Sequence, residues 1–375
     1  MLLSEVTTLR LGGPCEDVVV AVDEAELIEA ITQADVLELP VLILAGGSNV
    51  VIADSGWPGR VVLVRTSGVT VAASGAETDS RFAKARLATG EVETGSSAAS
   101  GPRVLVTAAA GETWDDFART MVTQGFGGVE ALVGIPGAVG STPIQNVGAY
   151  GQEVADTVVS VRVWDRHTHQ TVTLAATECG FAYRDSRFKR EPGRFVVLAV
   201  TFALTATGDS APVRYGELAR HLNVEAGQRA PVAQVAQTVL NLRAGKGMVL
   251  DAADHDTWSA GSFFTNPILT SEDAHRLLPE SAPRFAAGEA ATADRTPQVK
   301  TSAAWLIEHA GFTKGFRVRP DAPVALSSKH TLALTNRGGA TTADLLELAR
   351  TVRDGVREHF GVTLVPEPVL VGCAL

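Results

Sequence analysis

One stretch of the sequence, residues 134–151, restricts most strongly what this part of the chain can form. It reads GIPGAVGSTPIQNVGAYG and contains five glycines within eighteen residues. Glycine weakens helices and strands, but it lets backbone N–H groups approach a ligand closely, and successive N–H groups can bind an anion. A loop with a purely structural role seldom needs so many unhindered positions. The stretch therefore predicts a loop that holds an anionic ligand.

A second glycine cluster, residues 45–50 with the sequence AGGSNV, comes directly after the apolar run 41–45. Taken alone, this cluster is also compatible with a tight turn at the end of a strand. Neither cluster has the spacing GxGxxG, GxxxxGKS or GxxxxGKT, so the sequence supports neither a classical dinucleotide-binding fold nor a P-loop. Together the two clusters favour a cradle of another type for a cofactor that carries a pyrophosphate.

Composition and charge narrow the class of protein. The 375 residues carry a net charge of −10 and no basic tract, which argues against nucleic-acid binding. The cysteines, Cys15, Cys179 and Cys373, are odd in number and widely spaced, which favours a reducing, cytoplasmic compartment over a disulfide framework. We expect no membrane insertion, because no apolar run approaches the ~20 residues of a membrane span. His167 and His169 lie in a polar turn, and we expect no metal site.

Hydrophobic periodicity predicts an α+β protein made of three α/β parts and a tail, with boundaries at residues 1–68, 69–229, 230–361 and 362–375. Helices are predicted over residues 23–34, 113–123, 231–243, 302–310 and 342–360. Strands are predicted over residues 41–45, 60–65, 104–108, 157–164, 171–174, 195–204 and 332–335. The segments 94–101 and 279–297 are rich in small residues or in proline and alanine, and we expect surface loops or insertions there.

Three further motifs contain residues that could take part in chemistry. The segment 183–190, YRDSRFKR, concentrates positive charge, so it either binds a carboxylate or phosphate or forms a solvated turn. In the segment 261–267, GSFFTNP, Ser262 precedes two phenylalanines and is either a proton donor in an apolar pocket or a turn residue. The spacing is not that of a GxSxG nucleophile elbow, which argues against a hydrolase. Glu367, flanked by prolines, is either partly buried for a purpose or at an exposed edge.

These motifs resemble the UDP-N-acetylenolpyruvoylglucosamine reductase family over nearly the whole chain and in the family's order. The matching segments are TTLRLGGP at 7–14, AGGSNV at 45–50, the glycine-rich stretch at 134–151, YRDSRFK at 183–189, RYGEL at 214–218, LRAGKG at 242–247, AGSFFTNP at 260–267, AAWLIEHAGFTKG at 303–315 and VPEP at 365–368. The resemblance implies an FAD-binding fold of the vanillyl-alcohol-oxidase (PCMH) type. In that fold two α/β subdomains clasp FAD and a third α/β domain binds the substrate.

The resemblance also implies roles for single residues that stand at matching positions of these motifs. The implied catalytic residues are Ser262 as proton donor, Arg184 as partner of the charge that develops beside the pyruvyl carboxylate, and Glu367 near that charge. The implied FAD contacts are Gly46, Gly47, Ser48, Asn49, Ile135, Gly140, Ser141, Gly148 and Tyr150. The implied contacts to the substrate diphosphate are Tyr215, which resembles the tyrosine of the type I branch, Lys246, Asn266 and Lys314, with His330 as a further candidate.

The implied reaction reduces UDP-N-acetylglucosamine enolpyruvate to UDP-N-acetylmuramate, a peptidoglycan precursor, with NADPH as the reductant and non-covalently bound FAD as the cofactor. NADPH has no motif of its own in the sequence, so the resemblance implies that it uses the substrate site in turn. We expect a monomer. Two alternatives stay open, namely another flavin oxidase or dehydrogenase of the same fold and a non-catalytic protein that binds a nucleotide sugar.

Overall fold

The computed structural model describes residues 1–73, 101–286 and 297–375 of the chain. Within these residues the α-helices are α1 Glu24–Val36, α2 Trp114–Thr123, α3 Arg187–Arg190, α4 Gly216–Leu222, α5 Val232–Gly245, α6 Ser271–Leu277, α7 Ala303–His309 and α8 Thr342–Phe360. The strands are β1 Asp17–Ala21, β2 Val41–Leu44, β3 Val50–Ile52, β4 Arg60–Val64, β5 Val69–Ala73, β6 Arg103–Ala109, β7 Gly148–Ala149, β8 Gln152–Glu153, β9 Val158–Asp165, β10 Gln170–Ala175, β11 Phe195–Thr205, β12 Ile268–Thr270, β13 Phe285–Ala286, β14 Gln298–Lys300, β15 Val324–Leu326, β16 Leu334–Asn336 and β17 Val369–Val371.

The chain divides into two compact units. Unit 1 consists of Met1–Val19, Leu37–Val62 and Arg243–Leu375, and unit 2 consists of Val20–Val36 and Leu63–Leu242. Each unit is therefore assembled from segments that are far apart in the sequence. The three-part division predicted from the sequence stays a prediction.

A five-stranded antiparallel sheet in unit 2 has the strand order β10-β9-β11-β6-β5. Its strands are rich in valine and other β-branched residues, which pack well on a pleated surface. Trp114 and Phe117 of α2 pack against Phe202 of β11, with ring centroids 6.0 and 5.2 Å apart. The buried indole N–H of Trp114 donates to the carbonyl of Leu132 at 2.9 Å, so this polar group is satisfied. Helix α2 thus fixes the segment that leads into the glycine-rich stretch.

Helix α1 also belongs to unit 2, although it lies within residues 1–68 of the sequence. Glu24 and Asp35, near the two ends of α1, form ion pairs with Arg162 and Arg166. Leu27 and Ile31 on its apolar face are fully buried, as the periodicity of the sequence predicts. The ion pairs link residues more than a hundred positions apart, which is a contact that a local pattern does not reveal.

The core of unit 1 surrounds helix α8. Leu345, Leu348, Val352 and Val356 form its fully buried face, which packs with α7 and the β15-β16 hairpin in one apolar cluster. The helix begins with a capping box in which the Thr341 hydroxyl accepts from the N–H of Asp344, and the Asp344 carboxylate accepts from the N–H of Thr341. It ends at Gly361, whose φ of 69° is a conformation that glycine adopts without steric cost.

The carboxyl-terminal tail returns to the segment that follows the first glycine cluster, within unit 1. Strand β17 pairs with β3 in parallel, so that Val369 lies opposite Val50 and Val371 opposite Ile52. Before this strand, Val362 and Leu364 are buried in the apolar cluster of unit 1. The burial of these two residues holds the tail in place from its beginning.

The predicted helices and strands are confirmed within a few residues at their ends, and helix 342–360 is confirmed at both ends. The strand predicted at 332–335 begins two residues later, as β16. Residues 74–100 and 287–296 lie outside the described residues, and most of the two predicted loop segments, 94–101 and 279–297, falls there. Within the latter, the described part includes β13, which pairs with β14.

Candidate active-site residues in the two units

Unit 1 brings the segment of Ser262 alongside that of Glu367. The N–H of Glu367 donates to the carbonyl of Phe263 at 2.8 Å, and a β-bridge joins Phe264 to Pro366. Both phenylalanines are fully buried, so they fix the backbone on which Ser262 stands. Ser262 itself is half-buried, and its hydroxyl makes no hydrogen bond with any residue in the described parts of the chain. A hydroxyl held in this way can donate to a ligand.

The first glycine cluster meets the same tail. The side-chain amide of Asn49 donates to the carbonyl of Glu367 at 3.4 Å, and the carbonyl of Asn49 accepts from the N–H of Val369 at 3.0 Å. The cluster, the Ser262 segment and the Glu367 segment are therefore connected through hydrogen bonds within unit 1.

The backbone of this cluster offers hydrogen-bond donors. Among the residues that the structure describes, no acceptor binds the N–H groups of Gly46, Gly47 and Ser48. Gly47 is buried, and a buried N–H group without an acceptor costs free energy unless a ligand satisfies it. However, a Cβ atom at Gly47 would lie 1.9 Å from the carbonyl oxygen of Val6. Packing of the chain alone thus requires a glycine there, while the orphaned N–H groups suit a pyrophosphate.

The segments of three predicted substrate residues of unit 1, Lys246, Lys314 and His330, meet at the loop 327–332. His330 lies on it, and the N–H of Gly315, next to Lys314, donates to the carbonyl of Ser327 at 3.3 Å. Gly247, next to Lys246, also lies close to the loop, because a Cβ atom at Gly247 would be 3.4 Å from the side chain of Lys329. The carbonyl of Leu332 accepts from the N–H of Phe263 at 2.7 Å, which ties the loop to the Ser262 segment.

Asn266, the remaining predicted substrate residue of unit 1, has a structural contact. Its side-chain oxygen accepts from the N–H of Ala303, the first residue of α7, at 2.9 Å. This N–H is one of the groups at a helix N-terminus that have no acceptor within the helix. The side-chain NH₂ group of Asn266 makes no hydrogen bond with any described residue and can donate to a ligand.

A buried carboxylate that the sequence analysis did not single out supports the same loop. Asp256 accepts hydrogen bonds from the N–H and hydroxyl of Ser328 and from the guanidinium of Arg337. Burial raises the pKa of Asp256, but the bonds from Ser328 and the charge of Arg337 outweigh it, so the pKa lies below its usual value. The neighbouring Asp254 pairs with Lys329. No motif spacing marks these residues, because their partners are more than seventy positions away.

In unit 2, Arg184 lies against the glycine-rich stretch. Its guanidinium donates to the carbonyl of Gly148 at 2.7 Å, and a Cβ atom at Gly148 would lie 3.3 Å from another nitrogen of that guanidinium. The ammonium of Lys189 donates to the carbonyl of Arg184 at 2.9 Å. Arg184 has a φ of 54°, an uncommon conformation for a residue with a side chain. A strained residue held by several contacts is typical of functional sites.

Hydrogen bonds to and from the glycine-rich stretch fix the turn that carries Arg184. The amide of Asn146 donates to the carbonyl of Ala182 at 3.0 Å, and the hydroxyl of Ser186 donates to the carbonyl of Ile144 at 2.5 Å. Ser186 and Asn146 are buried. The segment 183–190 is therefore not a solvated surface turn, because these buried hydrogen bonds connect it to the rest of unit 2.

The contacts of the other predicted ligand residues of unit 2 show that some of them have a structural role. Tyr150 packs edge-on against Tyr215 with ring centroids 5.5 Å apart, so the two predicted ligand contacts are neighbours. Gly140 lies so close to Ala110 that a Cβ atom would meet the alanine Cβ at 2.5 Å, which explains the glycine without a ligand. The hydroxyl of Ser141 donates to the carbonyl of Ala138 at 2.7 Å, within its own turn. Ile135 is half-buried.

The cysteines show no sign of reactivity or of a cross-link. All three are free thiols, and burial raises the pKa of Cys179 to about 12 and the pKa values of Cys15 and Cys373 above the usual value. No group of histidine, cysteine and acidic residues suited to a metal ion occurs in residues 1–73, 101–286 and 297–375. None of the described helices combines the length and the apolar character that crossing a membrane would take.

Comparison with known protein families matches two parts of the chain. Residues 253–371 match the model of the UDP-N-acetylenolpyruvoylglucosamine reductase C-terminal domain, and residues 98–174 match the model of an FAD binding domain. The first match contains Ser262 and Glu367, and the second contains β6, β9, all but the last residue of β10, and the glycine-rich stretch.

Full-length relatives match the whole chain. The UDP-N-acetylenolpyruvoylglucosamine reductases of Cutibacterium acnes and Streptomyces coelicolor are each 50% identical to it, over 100% of this chain and 90% of theirs. The crystal structure of the reductase from Thermus caldophilus has the same fold, with a TM-score of 0.60 and 23% identity over 99% of this chain and 97% of that one. The predicted FAD-binding fold is thereby confirmed, and the chain belongs to the UDP-N-acetylenolpyruvoylglucosamine reductase family.

Proposed function

We propose that this protein reduces UDP-N-acetylglucosamine enolpyruvate to UDP-N-acetylmuramate, with NADPH as the reductant and FAD as a non-covalently bound cofactor. The observation that carries the proposal is the 50% identity to two reductases of this name over the entire chain. The match of residues 98–174 to an FAD binding domain supports the cofactor. A nucleotide-sugar substrate and three free cysteines are in keeping with the cytoplasm as the compartment.

The chain has groups that suit the pyrophosphate of FAD. The orphaned N–H groups of Gly46, Gly47 and Ser48 are such donors, and they come from consecutive residues, as in other anion-binding backbone segments. When bound, FAD supplies the hydride transfer that links NADPH to the enolpyruvyl group. The tasks of the chain are to bind and orient the substrate, to stabilise charge and to deliver a proton.

Ser262 is proposed to deliver that proton, to the carbon next to the substrate carboxylate. A free hydroxyl is a poor acid, so the proton donor must be polarised by its surroundings. Glu367 stands on the adjacent strand segment, through the hydrogen bond of its N–H to the carbonyl of Phe263. We propose that Glu367 is protonated when it acts, because a carboxylate would repel the negative charge that develops on the substrate.

Arg184 is proposed to stabilise this charge. Its guanidinium is already oriented by the carbonyl of Gly148, so little conformational entropy is lost when it binds an anion. Lys246, Lys314 and His330 are proposed to bind the diphosphate of the substrate, since their segments border the loop 327–332. Lysine suits a phosphate as a mobile point charge.

The absorbance spectrum of the purified protein tests the proposal. We expect the bands of oxidised flavin, which NADPH bleaches in the absence of oxygen and which the enolpyruvyl nucleotide sugar restores. Flavin that stays with acid-precipitated protein, together with peroxide formation in air, would instead identify an oxidase with a covalent cofactor. A colourless protein that takes up no added FAD would identify a non-catalytic binding protein.

A further inference from the structure

A buried carboxylate, that of Asp256, lies between the segments of unit 1 that carry the proposed diphosphate contacts. Asp256 is 4% exposed, and one of its carboxylate oxygens accepts from the N–H of Ser328 at 2.9 Å and from the guanidinium of Arg337 at 2.7 Å. The hydroxyl of Ser328 donates to the other oxygen at 2.5 Å. Hydrogen bonds to a charged acceptor are roughly twice as strong as those between neutral groups, so this carboxylate fixes both partners.

The turn on which Asp256 stands is itself fixed. The side chain of Asp254 accepts from the N–H of Asp256 at 3.0 Å. The hydroxyl of the buried Thr257 donates to the carbonyls of Asp251 and Asp254 at 2.7 and 2.8 Å. The other partner of the carboxylate, Arg337, directly follows strand β16. Asp256 therefore ties the loop that contains Ser328 to two well-supported parts of unit 1.

The segment of Lys246 packs directly against Asp256. A Cβ atom at Gly247, the next residue, would lie 3.3 Å from the Cβ atom of Asp256 and 3.2 Å from its carbonyl oxygen. Gly247 has a φ of 66°, a conformation that glycine adopts without steric cost. Because the two segments approach each other so closely, the position of Lys246 depends on that of the turn His255–Thr257.

Ser328, in turn, fixes the loop near Lys314 and His330. The carbonyl of Ser327 accepts from the N–H of Gly315, which directly follows Lys314, at 3.3 Å. His330 stands two residues after Ser328, and its N–H donates to the hydroxyl of Ser327 at 3.3 Å. The ammonium of Lys314 forms no hydrogen bond or ion pair with any residue of the described ranges 1–73, 101–286 and 297–375, so its charge is available to a ligand.

We propose that Asp256 is a positioning residue for the substrate diphosphate, and that it acts by holding Ser328 and Arg337 rather than by touching the ligand. The inference rests on the proposed function, in which the lysines beside this loop bind the diphosphate. It adds a residue that no ligand contact would reveal, because the carboxylate is buried and occupied by donors of the chain.

Two effects of this carboxylate on a bound diphosphate oppose each other. Its negative charge repels the phosphates, while its hydrogen bonds keep the segments of the cationic side chains in place. The ion pair with Arg337 at 2.7 Å offsets the charge of Asp256, which weakens the repulsion. Misplacing a binding group by about 1 Å, in contrast, can cost up to about a hundredfold. We therefore expect the loss of Asp256 to weaken diphosphate binding, although it removes a negative charge.

Calorimetric titration of the FAD-loaded protein with UDP-N-acetylmuramate, the proposed product, tests this sign without turnover. In Asp256→Asn we expect the dissociation constant to rise about tenfold, as the loss of one charge-assisted hydrogen bond would provide. Electrostatic repulsion alone predicts tighter binding, and a role in stability alone predicts an unchanged constant for the folded protein. Asp251→Asn is the matched control, because Asp251 is exposed and its side chain accepts, among described residues, from the N–H of Ala253.

Ser328→Ala tests the same contact from the other side. It removes the hydroxyl but leaves the carboxylate charged, so we expect a smaller rise in the dissociation constant, of about threefold. The double variant should bind about as weakly as Asp256→Asn, because both changes break one contact. Fully additive effects would show that the two residues act separately. Should circular dichroism show that Asp256→Asn does not fold, an unchanged constant in Ser328→Ala would overturn the inference.

Steady-state kinetics separate positioning from chemistry. In Asp256→Asn the KM for the enolpyruvyl nucleotide sugar should rise about tenfold while kcat stays within about twofold, because the buried Phe263 and Phe264 hold the Ser262 segment. A fall in kcat at unchanged KM would overturn the assigned role. Unchanged or tighter product binding by Asp256→Asn would overturn the inference and leave the proposed function standing. A wild type that binds no UDP-N-acetylmuramate would overturn both.

Discussion

Ser262 is the residue at which the proposed chemistry is most open to a direct test. Its hydroxyl has no partner in the described parts of the chain, and the buried side chains of Phe263 and Phe264 hold the adjoining backbone. In Ser262→Ala we expect NADPH to bleach the flavin at the wild-type rate. The rate at which the enolpyruvyl nucleotide sugar restores the flavin bands should fall by a factor of about 10²–10⁴, which is the usual contribution of general acid catalysis.

Rapid-mixing absorbance of each half-reaction measures the two rates separately. Thr265→Ala, in the same segment, is a suitable control, since its hydroxyl only donates to the carbonyl of Val365 at 3.4 Å. Equal slowing of both half-reactions in Ser262→Ala would show that the serine supports the structure of the site instead of supplying a proton.

Asp165, outside the proposed site, makes the stability of unit 2 depend on pH. The hydrogen bond from Arg194 lowers the pKa of this buried carboxyl to about 2, against burial, which would raise it. A pKa lowered in the folded state stabilises the protein above the pKa of the unfolded chain, near 4, and this stabilisation is lost as the pH falls toward 2. The shift corresponds to about 2 kcal/mol of unfolding free energy at neutral pH.

We therefore expect Asp165→Asn to lower the free energy of unfolding by about 2 kcal/mol at pH 7 and by progressively less below pH 4. Urea denaturation across this pH range measures the difference. Asp354→Asn serves as the control, because the side chain of Asp354 is 44% exposed and solvent weakens its ion pairs with Arg353 and Arg357. A difference between Asp165→Asn and wild type that is constant down to pH 2 would contradict the assigned titration.

Among the helices and strands, helix α8 shows how neighbouring residues in the sequence specify where a helix begins. Thr341→Ala removes the hydroxyl of the capping box and should lower the unfolding free energy by about 1 kcal/mol. Thr351→Ala, near the middle of the helix, removes a hydroxyl that donates to the carbonyl of Glu347 and raises helix propensity, so its effect should be near zero or slightly stabilising. Urea midpoints by circular dichroism compare the two, and equal losses would contradict a role for the cap.

The same helix explains why part of the fold could be predicted. Its apolar period, its cap at Thr341 and its end at Gly361 are all encoded within about twenty residues, so the predicted and observed ends agree. Strand β16 could not be placed as well, because the carbonyl of Leu332 is taken by the N–H of Phe263, about seventy positions away. At α2, Thr113 stands at the N-cap position, but its side chain accepts no hydrogen bond, so this helix lacks the local signal that α8 has.

The candidate site could likewise be predicted from the sequence only in part. The glycine clusters and the Ser262 segment could be singled out because their residues are consecutive in sequence. The support of loop 327–332 by Asp256 could not be predicted, since Asp256 and its partners come from distant segments. Motif spacing therefore identifies residues that contact a ligand through one segment, whereas groups assembled by folding require the structure.

At the scale of the whole molecule, the residues assigned to FAD come from both units. The cluster 45–50 belongs to unit 1, and the stretch 134–151 belongs to unit 2. A ligand that binds only the folded state raises the free energy of those opening motions that release it. The increase is up to about 2.7 kcal/mol when the ligand concentration is about 100 times its dissociation constant. We expect hydrogen exchange to slow in each of the two segments when FAD is added to protein stripped of flavin.

Hydrogen exchange followed by mass spectrometry, with and without FAD, measures this. We expect peptides that cover 45–50 and 134–151 to gain protection, with up to about a hundredfold slower exchange at that FAD concentration. The turn 166–169, between β9 and β10, carries no residue assigned to a ligand and should exchange equally in both samples. Protection confined to 134–151 would mean that the N–H groups of Gly46, Gly47 and Ser48 serve another ligand, and the assignment of FAD to unit 1 would then be withdrawn.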